Sequence, residues 1–251
     1  MWGGVQKTSL IYRYFHRVSQ KIYQDADKIL VTSRMFSNYF QREFHLEKTK
    51  YLPQYAEDIF DPASCRKEED GYLDLMFAGN MGIAQGLPTI VEAAAILRDE
   101  KRLRWHFVGD GSEVEQIRDM VEKAGLSNVF FHGRKPLEEM PKYYAMADAM
   151  IVSMQKMETL SYTLPGKVQT YMAAGKPVIG SIDGEAAEVI RSAQCGVCSD
   201  AEDAAGLSDN IRRFLSMDKK QLGLNARDYY EKNFAKAVFM KQLKDELNFE
   251  G

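Results

Sequence analysis

A lysine stands in this chain where a helix would repel it. Pro165-Gly166-Lys167-Val168-Gln169-Thr170-Tyr171-Met172-Ala173-Ala174-Gly175-Lys176-Pro177 reads as loop, short helix, stop and entry into a strand. Pro165 and Gly166 open the helix, and Val168, Tyr171 and Met172 give it one apolar face. Gly175 can take the left-handed C-terminal position, and Pro177 forbids continuation. Lys167 therefore falls in the first turn, against the positive end of the helix dipole, a mismatch of roughly 0.3–1 kcal/mol. An anion held by free backbone N–H groups and the ammonium would remove that mismatch, so this turn is a candidate phosphate or diphosphate site. The competing reading is a solvated lysine that tolerates a weak field.

The elements around this turn are regular from residue 72 onward. Strand-like runs cover 73–77, 104–108, 129–132, 149–153, 177–181 and, weakly, 196–199. Helical patterns lie between them at about 89–99, 113–124, 137–147, 166–174 and 185–193, followed by longer ones at about 202–216 and 219–247. Ser112 with Glu115 predicts a capping box for the helix that Gly125 ends. This alternation places the chain in the α/β class, with a doubly wound, mostly parallel sheet and right-handed crossovers. Ligands of such sheets bind outside the carboxyl ends of the strands. The loops expected there are 79–86, 109–112, 133–136, 154–165 and 183–185. The loop 154–165 exceeds the usual strand-to-helix length of about 2–6 residues, which points to function.

Several ligand classes are disfavoured. Gly79, Gly82 and Gly86 allow close backbone approach, but their spacing is not that of a nicotinamide-dinucleotide fingerprint. Gly166-Lys167 and Gly175-Lys176 lack the flanking residues of a P-loop. A net charge of −3 argues against a nucleic-acid binder. With 45% hydrophobic and 27% charged residues the chain has a globular composition. No apolar run reaches the roughly 18 residues of a membrane span. Three cysteines suit a reducing compartment, and Cys195-Gly196-Val197-Cys198 lacks both a redox context and a second pair for zinc. His106 and His132 fall in or at the ends of strands and read as structural. Leu10, Ile11, Tyr14, Phe15, Val18 and Ile22, with Arg13, Arg17 and Lys21, form an amphipathic basic helix. Such a helix packs on one side or lies on an anionic membrane surface. A strand at 28–32 and a helix from Ser33 to Phe40 follow, then a proline-marked hinge at 50–64.

Taken in order, these pieces resemble glycosyltransferase family 4, retaining enzymes of the GT-B type. The resemblance rests on Phe77-Ala78-Gly79-Asn80 with Gln85-Gly86, Phe107-Val108-Gly109-Asp110-Gly111-Ser112-Glu113 and Phe131-His132-Gly133. It continues with Tyr171-Met172-Ala173-Ala174-Gly175-Lys176-Pro177-Val178-Ile179 and Gly184-Glu185-Ala186-Ala187-Glu188-Val189-Ile190. Asp25-Ala26-Asp27-Lys28-Ile29-Leu30-Val31-Thr32-Ser33 and Leu52-Pro53-Gln54-Tyr55 resemble the family's passage between its two domains. The Pro165-Gly166-Lys167 variant is similar to members that build bacterial surface polysaccharide.

The resemblance implies two Rossmann-like domains across a cleft. Residues 1–56 would be a helical and strand remnant of the acceptor domain with the linker, and 57–251 the whole nucleotide-sugar domain with its C-terminal helices. The remainder of the acceptor domain would be missing, as in a truncated chain or one half of a split enzyme. The implied donor is a nucleotide sugar, by family habit a uridine one, with no metal or other cofactor. The implied acceptor is a saccharide or a lipid-linked one, the expected location is cytoplasmic, and peripheral contact with the inner membrane face is a further expectation. Lys167 and Glu185 are the expected catalytic residues. Donor-binding roles fall to Gly79, Asn80, Gly82, Gln85, Gly109, Asp110, Gly111, Gly133, Arg134, Lys135, Tyr162, Pro165, Gly166, Thr170 and Glu188. Gly133-Arg134-Lys135 would hold the base. Two departures from the family pattern stand out: Asn80 and Gln85 replace an Arg and a Lys, and Tyr162 and Thr170 replace a pair of Glu. Two further readings stay open, a nucleotide-sugar-binding module without activity and a nucleotide-sugar epimerase of related fold.

Overall fold

Six short, largely apolar runs zip into one parallel sheet. The computed structural model describes residues 8–247, and the chain divides into two compact units, Met1–Pro53 and Gln54–Gly251. In the second unit the strands are β3 (Leu73–Ala78), β4 (Leu103–Val108), β5 (Val129–Gly133), β6 (Ala149–Ser153), β7 (Val178–Ser181) and β8 (Gly196–Ser199). Their order is β5-β4-β3-β6-β7-β8, and every pairing is parallel. All residues of β3 and β6 are buried, as expected of central strands covered on both faces.

Alternate residues of each strand feed opposite cores. Met76, Val108, Met150 and Val178 pack with α7 (Gly166–Ala173), α8 (Gly184–Ser192) and α10 (Lys219–Asn233). Leu75, Phe77, Phe107 and Ile151 pack on the other face, under α3 (Pro88–Ile96), α4 (Val114–Lys123) and α9 (Ala204–Leu215). The chain leaves β3 for β4 and β5 on one side, then returns to β3's other side with β6. The crevice outside the carboxyl ends of β3 and β6 is therefore the topological switch point, where ligands of such sheets bind.

In the first unit, α1 (Leu10–Asp25) precedes β1 (Ile29–Val31), α2 (Arg34–Phe44) and β2 (Thr49–Tyr51), and the two strands pair in parallel. One face of α1 packs on α2 through His16 on Phe44 and Tyr23 on Phe40 and Phe44. Leu10, Ile11, Tyr14, Phe15 and Ile22 point outward and are exposed. Among the described residues no helix is long and apolar enough to cross a membrane.

Three local expectations need correction. The boundary between the two units falls inside the stretch expected as a hinge, and the correction there is that its first two residues, 50 and 51, belong to β2, paired in register with β1. The single helix expected at 219–247 breaks into α10 and α11 (Lys236–Leu247) because Phe234, 1% exposed, turns into the core. The Ser112/Glu115 capping box does not form; α4 starts at Val114 with Glu113 at its N-cap. Residues 109–113 are committed instead to the neighbouring loop, where Glu113 N–H donates to Met81 O at 2.9 Å.

That commitment makes Gly109 indispensable. Its φ is 143°, and an added Cβ would stand 1.8 Å from Gly79 O. Gly125 also has positive φ, 63°, but nothing lies within 4 Å of its added Cβ. In urea unfolding, Gly109→Ala should cost about 2–4 kcal/mol, strain plus overpacking, and Gly125→Ala only about 1 kcal/mol, the backbone penalty alone.

Candidate functional site

The loops at the switch point are knitted by backbone bonds. Gly79 N–H donates to Val108 O at 2.9 Å, Met81 N–H to Asp110 O at 2.8 Å and Gly109 N–H to Gly133 O at 3.0 Å. On the other side Ser153 Oγ donates to Gln85 O at 2.6 Å, and Gln155 N–H to Ala84 O at 3.0 Å. Gly79, Gly109 and Gly111, expected to admit a ligand, thus also admit one loop against the next.

Helix α7 is pinned to this surface by Tyr171. The buried hydroxyl accepts from Ala78 N–H at 3.1 Å and donates to Ala78 O at 2.9 Å. Both polar groups of the residue before Gly79 are thereby satisfied from α7. One turn earlier on the same helix, Lys167 Nζ lies over the Phe77 ring, 4.1 Å from its centroid, and donates to Gln85 Oε1. An added Cβ on Gly79 would be 3.5 Å from the same Nζ. No carboxylate pairs with Lys167 among the described residues. Burial pushes its pKa down from 10.5 to about 7. The ring face and the amide oxygen are weak substitutes for an anion in an environment that penalises charge.

The first turn offers less backbone than its sequence suggests. Val168 N–H is taken by Pro165 O at 2.9 Å. Gly166 and Lys167 keep the N–H groups aimed out of the helix start.

Two cavities adjoin at Gly79 and Arg134. One, about 840 Å³, gathers Gly79, Arg134, Lys135, Lys167 and Thr170 with an apolar wall that includes Leu137 and Met140. The other, about 680 Å³, is lined by Gly79, Asn80, Asp110, Gly111 and Arg134. The structure therefore brings eight of the expected residues to the crevice: Gly79, Asn80, Asp110, Gly111, Arg134, Lys135, Lys167 and Thr170. Gln85 reaches it only through Lys167, so its amide oxygen is occupied rather than turned to a ligand. Gly82, Gly109, Gly133, Pro165 and Gly166 line neither of these two cavities. Tyr162 places its hydroxyl on Glu158 and lines neither cavity. Glu185 is 3% exposed in the first turn of α8, and Glu188 is exposed on that helix; neither lines either of these two cavities. Thr170 Oγ1 is turned back to Gly166 O at 3.0 Å. Sequence reasoning missed Glu57, which lines the larger cavity from the segment preceding β3; no motif marks it.

The histidines belong to a separate polar cluster. His106 Nε2 is 2.7 Å from Asp74 Oδ1, and its Nδ1 is 2.9 Å from His132 Nε2. Burial alone would raise the Asp74 pKa, but hydrogen bonds from His106, Arg104 and Lys67 outweigh it and hold the carboxyl well below its usual range. Burial, with His106 and Lys135 nearby, lowers His132. Every charge in this cluster has a partner, which marks an intramolecular network. Burial pushes the Cys195 and Cys198 thiols up to about 12 and about 11, so they are poor nucleophiles. Lys176, 6% exposed, donates to Ala147 O at 2.7 Å and is structural.

Residues 64–233 match the family described as "Glycosyl transferases group 1". The chain is 23% identical over 251 residues to a probable glycosyltransferase WbjE of Pseudomonas aeruginosa, covering 96% of this chain and 62% of that protein. It is 28% identical over 178 residues to a putative colanic acid biosynthesis glycosyl transferase, WcaI of Escherichia coli, covering 69% of this chain and 42% of that one. The chain thus spans less than two thirds of these relatives. Among solved structures, Anabaena HepE in complex with UDP and glucose superposes with a TM-score of 0.79 at 17% identity, over 94% of this chain and 67% of that one. WaaG, a glycosyltransferase involved in lipopolysaccharide biosynthesis, gives a TM-score of 0.77 at 19% identity, over 98% and 69%.

The strained charge of Lys167 has a measurable signature. Its pKa is about 7 in the fold and 10.5 ordinarily, so between those values the unfolded chain holds more protons. Stability from this group therefore rises as pH increases from 7 towards 10.5. Lys167→Met should be more stable than the native chain at pH 6.5 by about 1–3 kcal/mol, as when apolar groups replace buried ions. Urea unfolding across pH should show that advantage shrinking by pH 9.5.

Proposed function

The chain belongs to the glycosyl transferases of group 1, and from that premise we propose that it is the donor-binding part of a retaining glycosyltransferase. Its substrate is a nucleotide diphosphate sugar, UDP-linked by family habit, and the sugar passes to a saccharide or lipid-linked acceptor in surface-polysaccharide assembly. One observation carries the reading: an ammonium that meets no carboxylate among the described residues, at the start of a helix, facing the crevice it shares with Gly79 and Arg134. The UDP held by the Anabaena neighbour supports the choice of base.

In this reaction the bond between the anomeric carbon and the diphosphate breaks, and negative charge grows on the departing oxygen. Lys167, the Gly166 and Lys167 N–H groups and Asn80, beside Gly79 in the adjoining cavity, hold that charge. Preorganised donors of this kind contribute on the order of 3 kcal/mol each to the transition state. Lys167 is already held by Gln85, and its helix by Tyr171, so little reorganisation of these groups accompanies the step. The acceptor hydroxyl bonds to the anomeric carbon on the face the diphosphate leaves, and its proton passes to the leaving phosphate. The donors are an ammonium and amides, and no metal is assigned a role. The chain covers 62% and 42% of two relatives, and acceptor binding is assigned to the part of those relatives that it does not match.

A second reading, a nucleotide-sugar-binding module without activity, is favoured by the coverage of 62% and 42% of the relatives. Isothermal calorimetry and sugar-transfer assays separate the two. The chain should bind UDP, and Lys167→Ala should weaken that affinity roughly ten- to hundredfold, the loss of a charge-assisted contact. Unchanged affinity would remove Lys167 from the site. Transfer that appears only after adding a separately expressed first domain supports the enzyme; none in any combination supports the module.

A further inference from the structure

The cavity around Lys167 holds a carboxylate that a diphosphate cannot want. Among its lining residues Glu57 is the only acid. Its side chain is exposed and has no hydrogen-bond or ion-pair partner among the described residues. Beside an anion it is repulsive, so its place needs another ligand group. A nucleotide carries one that suits it: the vicinal hydroxyls of ribose, both donors, which a single carboxylate can accept together. Resting on the donor reading above, we propose that Glu57 binds the ribose diol and makes the site selective for ribonucleotides.

Its backbone is fixed for that task. Ala56, the preceding residue, has its N–H on Tyr230 Oη at 3.2 Å and its carbonyl accepting from the same hydroxyl at 3.4 Å. Phe60, 5% exposed, packs on Tyr144 with ring centroids 5.0 Å apart. Arg227 Nη1 donates to Phe60 O at 3.4 Å and to Ala173 O at 2.5 Å, tying this segment to the end of α7. The carboxylate is thus carried on a segment anchored to α10 and to the helix that bears Lys167. Thr170, in the same cavity, has its hydroxyl proton on Gly166 O, which leaves Glu57 as the strongest acceptor for hydroxyls there.

Calorimetry with the full chain tests this using UDP, 2′,3′-dideoxy-UDP and inorganic pyrophosphate. The native chain should prefer UDP over the dideoxy compound by roughly tenfold or more, the loss expected for hydrogen bonds to a charged group. Glu57→Ala and Glu57→Gln should abolish most of that preference by weakening UDP, while pyrophosphate binds as well as before or better, since a like charge is gone. Thermal unfolding of both variants checks that the fold is kept. A Glu57→Ala chain that retains the native preference overturns the assignment. So does a native chain that binds UDP and its dideoxy analogue equally, which leaves the diphosphate site standing. Failure of the native chain to bind UDP at all overturns both.

Discussion

A lysine ammonium that meets no acid among the described residues is the constraint on which the candidate site depends. A buried or half-buried charge is usually paired, or the group gives up its proton. Lys167 does neither fully: it has a phenyl face and one amide oxygen, and a pKa depressed to about 7. The helix that carries it adds a positive end rather than relief. An anion in the crevice would satisfy all three at once. Without a ligand the same arrangement is a standing cost to the fold, which is the usual relation between a binding site and its scaffold.

The rest of the second unit can be understood as holding that charge in place. The sheet reverses its order between β3 and β6, which opens the crevice. Backbone bonds knit the loops after β3, β4 and β5 into one surface. Tyr171 ties the end of β3 to α7, so the helix that carries the ammonium cannot drift from the Gly79 turn without unpairing two buried groups of Ala78. Gln85 takes the place of a cation in the related pattern, and its role is altered accordingly: it positions Lys167 rather than adding charge. The Asp74, His106 and His132 cluster lies on the same sheet but neutralises itself.

Much of this was legible in the sequence because it is local. Alternating strand and helix patterns identify a parallel sheet, Gly175 ends α7 with φ 65°, and Pro165-Gly166 starts it. Lys167 stands out by the mismatch of its charge with its position. What sequence could not show depends on distant partners. The break at Phe234 follows from a core that Phe234 must fill, and helix propensity is silent about that. The capping box at Ser112 lost to a loop contact with Met81, one α-helix and one strand earlier in the chain. Glu57 is an unremarkable exposed acid until Tyr230 and Arg227 fix the segment that carries it. Glu185 and Tyr162 matched family positions, yet neither lines the two cavities: Glu185 is buried in the first turn of α8, and Tyr162 places its hydroxyl on Glu158.

The central claim is that the Lys167 charge is strained alone and relieved by a diphosphate. NMR titration of the Lys167 Nζ group, followed with and without saturating UDP, measures this directly. The account predicts a pKa near 7 for the free chain and a rise towards the ordinary value of 10.5 when UDP is bound. An ordinary value in the free chain, or a depressed one that saturating UDP leaves unmoved, would contradict it.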